Sequence, residues 1–262
     1  PKAIGNTKRS DPPLMPSTST TSRKVDFTLT SQILGLTIPV ALTRQLDNLV
    51  GMADIFMVGK LGPEAISAVG IARTITGVVF VTVIAVTTGT FTLVAQAIGA
   101  KDMKSASSTA KQSFVLLFFI SLLLSGLGIT VLPFLLRALS LPPDVIALGT
   151  VYLNIFFLGS PFMVLGFAIT TCLQAAGDTR TPFYISLISS IVKVTMGYLL
   201  IFGIWGLPEM GVAGAATGGI IGRAVSMVIG FSLLYSGKLA VRLVPGTSYR
   251  PEAKLTWRIF RI

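Results

Sequence analysis

Long apolar runs with a few charges set inside them constrain this chain more than any other feature. The clearest is residues 33–58, Ile-Leu-Gly-Leu-Thr-Ile-Pro-Val-Ala-Leu-Thr-Arg-Gln-Leu-Asp-Asn-Leu-Val-Gly-Met-Ala-Asp-Ile-Phe-Met-Val. A helix needs about 20 apolar residues to cross a bilayer, and this run is longer. Yet it contains Arg44, Asp47 and Asp54. A charge at bilayer depth costs on the order of 2.5–3.5 kcal/mol, so such residues face a protein interior or a wet cavity and mark ion or substrate paths. At about 3.6 residues per turn, Asp47 and Asp54 lie two turns apart on one helix face, with Arg44 one turn before Asp47. The spacing predicts an Arg44–Asp47 pair and leaves Asp54 without a partner on its own helix.

Composition agrees with a membrane setting. Only 12% of the 262 residues are charged and 52% are hydrophobic, where a soluble domain has about 25% charged residues. The net charge of +11 sits between apolar runs, as in the loops of a membrane protein, and not on one basic face, so no nucleic-acid partner is expected. The chain has no histidine, which removes the Ser-His-Asp arrangement, Cys-His pairs and the usual zinc sites. No metal site, no cofactor and no enzymatic activity are expected. Cys172 stands alone, so no internal disulfide is available.

Turn signals divide the chain. Residues 1–26 are polar and rich in Ser, Thr, Pro and Lys, which reads as a disordered cytoplasmic tail. A six-helix transmembrane unit is expected over 27–237, with helices at about 33–58, 64–98, 105–139, 144–174, 183–202 and 211–235. Pro63 suits a first helical position, and Thr181 is expected to cap the fifth helix with Pro182 following. Residues 238–262 read as a basic cytoplasmic linker with an amphipathic helix at 252–262. With six spans, one side collects the basic residues of both tails together with Lys101, Lys104, Lys111 and Arg180. The other side has Lys60 and Arg137. The positive-inside rule then places both termini in the cytoplasm of a multi-pass cell-membrane protein. Arg73 and Arg223 are expected to snorkel toward an interface, and the small residues of 211–222 to pack helices closely.

Several stretches together resemble the multidrug and toxic compound extrusion (MATE) family of secondary transporters. They are Gly-Met-Ala-Asp-Ile-Phe-Met-Val-Gly-Lys-Leu-Gly (51–62), Ala-Ile-Ser-Ala-Val-Gly-Ile-Ala (65–72) and Leu-Val-Ala-Gln-Ala-Ile-Gly-Ala-Lys-Asp (93–102). Leu-Gln-Ala-Ala-Gly-Asp-Thr-Arg-Thr-Pro (173–182), Tyr-Leu-Leu-Ile-Phe-Gly (198–203) and Gly-Val-Ala-Gly-Ala-Ala-Thr (211–217) complete the set, in order and at family spacing. The resemblance implies an all-α membrane protein, one six-helix lobe of a two-lobe, twelve-helix transporter, here the amino-terminal one. It implies a second lobe from further sequence, a half-transporter that dimerises being the alternative. The implied function is an antiporter that exports organic compounds or drugs, driven by a proton or sodium gradient.

The resemblance also assigns residues. Asp54 stands where the family has its cation-coupling carboxylate, and Asp47, Lys193, Thr217 and Arg44 are the expected substrate-cavity residues. Lys193 and Gly197 occupy positions where the family often has Asn and Asp. A lysine there would act as an internal counter-ion to Asp54, disfavouring sodium by like charge and making anionic or zwitterionic substrates more plausible. A structural Asp54–Lys193 pair with no part in coupling stays open. So do two other functions: a flippase for a lipid-linked precursor, with Arg44, Arg73, Lys193 and Arg223 supplying the basic groove, and a non-transporting membrane scaffold.

Overall fold

The computed structural model describes residues 27–139 and 141–236. The tail at 1–26 and the basic linker with its amphipathic helix, as read from the sequence, lie outside the described residues. Each turn signal ends one long helix and starts the next: α1 (Phe27–Gly59), α2 (Pro63–Gly99), α3 (Met103–Ala138), α4 (Pro143–Ala175), α5 (Arg180–Phe202) and α6 (Val212–Tyr235). No strand occurs among the described residues. Helices α2 to α6 are each long and apolar enough to cross a membrane. Helix α1 has the length, at 33 residues, but its internal charges lower its apolarity.

The helix ends follow from local chemistry. Gly62 adopts φ 115°, a conformation that suits glycine, and Pro63 then opens α2 with Glu64 in its first turn. Asp102 caps α3: its carboxylate accepts the Ser105 backbone N–H at 3.0 Å and the Ser105 hydroxyl at 2.7 Å. The Ser105 N–H, and then its hydroxyl, hold the Asp102 carboxyl below its ordinary range. The expected Thr181 cap on α5 is corrected here. Helix α5 begins at Arg180, and it is the Asp178 carboxylate that accepts the Thr181 N–H, at 3.0 Å. An aspartate upstream satisfies the free amide that a threonine inside the first turn cannot.

Helix α4 is the central element of packing. It lies against α6, α3 and α2, and α6 in turn packs on α5. Helix α1 is the outlier, resting on α5 and touching α2 lightly. One apolar core joins Val94, Leu117, Ile169, Leu173, Ile185 and Leu234, and a second joins Ala72, Leu132, Leu136, Leu153 and Phe157. Large apolar side chains such as Met52, Phe56, Phe134 and Leu158 point outward, as lipid-facing surfaces require. In lipid, helices associate through close packing and hydrogen bonds more than through burial from water. The α5–α6 contact shows both. A methyl group at Gly218 would lie 2.6 Å from the Gly197 Cα, and one at Gly222 would lie 2.7 Å from the Lys193 Cβ. The Ser189 hydroxyl donates to the Gly222 carbonyl at 2.8 Å across the same seam.

Candidate functional site

The charges that make α1 a poor membrane helix all face one cavity. It has a volume of about 360 Å³ and is walled by α1, α2, α4, α5 and α6, within the range of roughly 300–1,000 Å³ typical of small-molecule sites. Asp54 is its best-tied residue. One carboxylate oxygen, Oδ2, accepts from Lys193 Nζ of α5 at 2.6 Å and from Arg73 Nη2 of α2 at 3.2 Å. Arg73 Nη2 also donates to the Gly51 carbonyl of α1 at 3.4 Å. The three side chains are partly enclosed, at 16% exposure for Asp54, 25% for Lys193 and 36% for Arg73. Lys193 reaches this place because glycines of α6 let the α5 backbone approach closely.

Of the residues expected from sequence, Arg44, Asp47, Asp54 and Lys193 come together in the cavity wall. Thr217 does not. Its hydroxyl donates to the Ala213 carbonyl of its own helix at 2.8 Å, and it is not among the lining residues. The expected Arg44–Asp47 ion pair is also absent: neither side chain has an ion-pair partner among the described residues. Both side chains are exposed, and an exposed pair contributes little.

Arg73 and Arg223 line the cavity instead of snorkelling to an interface. Arg223 sits near the middle of α6, too far from either end to reach one, and that position was the overlooked signal. Ser186, Ser189, Ser190 and Lys193 also line the wall. Their spacing is that of one helix face, so the polar stripe on α5 was readable as well.

A smaller compartment of about 160 Å³ adjoins the cavity, sharing Phe80, Lys193, Gly219 and Arg223 with it. Tyr152, Phe156, Met163 and Ile220 also line it. Phe80 also meets Phe167 edge to face, with ring centroids 6.3 Å apart. The combined site is therefore a charged chamber opening onto an aromatic one.

Comparison with known proteins gives consistent results. The family model described as MatE matches residues 39–199. The chain is 28% identical to the probable multidrug resistance protein YoeA of Bacillus subtilis over 73% of its own length and 42% of that protein. It is 32% identical to the probable multidrug resistance protein NorM of Thermotoga maritima over 74% of its own length and 42% of that protein. The chain thus spans somewhat under half the length of these two curated relatives. A solved MOP superfamily transporter from Pyrococcus furiosus shares the fold, with a TM-score of 0.80 at 21% identity, over 88% of this chain and 50% of that one.

Proposed function

The chain belongs to the MatE family, and from that premise we propose that it forms the amino-terminal lobe of a secondary transporter exporting small organic solutes across the cell membrane, with Asp54 as its coupling residue. The second lobe comes from further sequence or, less simply, from a second copy. Transport in such folds needs one half to rock against the other around a site near the bilayer midplane.

The observation that carries this reading is Asp54 held between Lys193 and Arg73. The carboxylate is the charge that ties α1 to both α2 and α5. A proton delivered to Asp54 removes that charge and releases α1 from both neighbours. A sodium ion at the same oxygen meets two cations instead. Each like charge at about 4 Å opposes it by on the order of 4 kcal/mol at an effective dielectric of about 20. The two cations oppose protonation as well, but a proton bonds directly to one oxygen and needs no coordination shell. We therefore take the proton as the coupling ion, with Lys193 and Arg73 filling the place a metal cation would take.

The test is efflux from vesicles holding the two-lobe transporter, driven by an imposed proton gradient or an imposed sodium gradient. Proton-driven efflux with little sodium response is expected, with at least a tenfold loss in Asp54→Asn. Sodium-driven efflux, or full activity of Asp54→Asn, would overturn the assignment.

A further inference from the structure

We propose that the cavity binds an aromatic anion, with its negative group in the charged chamber beside Arg44 and Arg223 and its ring in the chamber of Tyr152, Phe156 and Met163. This rests on the transport reading only in taking the cavity as the substrate site. The charge argument is direct. Arg44, Arg73, Lys193 and Arg223 face two carboxylates, Asp47 and Asp54. Asp54 is engaged by both Arg73 and Lys193, so it offers little to a cationic solute. Asp47 then stands alone against Arg44 and Arg223, neither of which has an ion-pair partner among the described residues. A cation entering here meets a surplus of like charge, and an anion meets two guanidinium groups in need of one.

The shape argument is independent. Arg223 and Lys193 belong to both chambers, and so does Phe80. A ligand whose anionic group meets Arg223 therefore points its remainder among Phe80, Tyr152 and Phe156. These side chains present ring faces and edges, the surfaces that other aromatic rings pack against. At about 160 Å³, the inner chamber suits a compact ring and not a long polyprenyl chain. Arginine's planar fork suits a carboxylate, sulfonate or phosphate oxygen pair.

Binding, not transport, is the readout. The two-lobe transporter is purified into nanodiscs of zwitterionic lipid and titrated calorimetrically at low salt with four probes. They are 1-naphthalenesulfonate, its ring-matched cation 1-naphthylmethylammonium, the ringless anion methanesulfonate, and farnesyl pyrophosphate. The expected result is that naphthalenesulfonate binds at least tenfold tighter than each of the other three. Arg223→Gln and Arg44→Gln should each weaken it at least fivefold. Arg44 is exposed, so its variant serves if Arg223→Gln does not fold. Met163→Trp, which fills the inner chamber, should bring naphthalenesulfonate down to the level of methanesulfonate. Equal or tighter binding of the cation, tighter binding of farnesyl pyrophosphate, or indifference to both arginine variants would overturn the proposal. Loss of proton-driven efflux in the vesicle assay leaves this binding comparison unaffected, so the two readings fail separately.

Discussion

Lys193 Nζ and Asp54 Oδ2 lie 2.6 Å apart, joining α5 to α1 across 139 residues of sequence. This contact is shorter than either link from Arg73 to α1, at 3.2 and 3.4 Å. It matters more for that reason, since α1 otherwise rests on α5 and barely touches α2.

Removing either partner should loosen the lobe. Stripping one partner from a fully buried pair costs about 3–5 kcal/mol. Here the groups are partly exposed and Arg73 remains beside Asp54, so Lys193→Ala should cost about 1–2 kcal/mol. Asp54→Asn strands two cations and should cost more. Thermal melts of the single and double variants should show non-additivity above about 0.5 kcal/mol. Simple additivity would mean that the two groups are not energetically coupled.

The α5–α6 seam gives an asymmetric prediction. Gly218→Ala places a methyl against the Gly197 backbone at 2.6 Å, an overpacking expected to cost about 1–3 kcal/mol. Gly197→Ala instead meets only the Met57 side-chain end at 3.8 Å, so it should be close to neutral. Melting curves that rank the two variants the other way round would contradict the seam.

Membrane orientation is open to a simple test. Lys60 is the lone cation of the α1–α2 turn, and the α5–α6 connection has none. Both should lie outside, with the termini in the cytoplasm. Reporter fusions within residues 60–62 and 203–211 should report an external location. An internal signal from either would reject the layout.

Acidity should act on the α3 cap. The Asp102 carboxyl is held below its ordinary value of 3.8, so it binds a proton less readily folded than unfolded. Its contribution is therefore full above pH 3.8 and is lost as pH falls through the lowered folded value. Hydrogen-exchange protection of the Ser105 amide should drop on that acidification and be low at every pH in Asp102→Ala. A pH-independent protection factor in the unmodified chain would refute the cap's role.

The helices were legible because their ends carry strong local chemistry: Gly62 before Pro63, Asp102 before Met103, Pro142 and Pro143, and Gly203 after α5. The partners inside the lobe were less so. Lys193 could be matched to Asp54 because it stands where the MATE family often has a cavity Asn, so the resemblance put it near the coupling position. Arg73 could not, because a helix that is apolar on nearly every side gives no sign of which face turns inward. Arg44 and Asp47 had the spacing to pair, but spacing alone does not bring two exposed side chains together. Thr217 matched a family position, yet its hydroxyl is satisfied by Ala213 within α6. Gly197 looked like a lost carboxylate, and in the structure its backbone lies against Gly218 at the α5–α6 seam.

The two partners of Asp54 also differ in when they become available. Arg73 follows it by 19 residues and Lys193 by 139. During synthesis, α1 emerges carrying a carboxylate that hydrocarbon does not welcome. Helix α2 then brings a guanidinium within reach almost at once, so the two can enter the membrane as a hairpin that neutralises its own charge. The lysine arrives only after α3 and α4 have been made, and it closes onto a hairpin already in place. By order of synthesis, Arg73 is the partner available as α1 inserts, and Lys193 the one available once the lobe is complete.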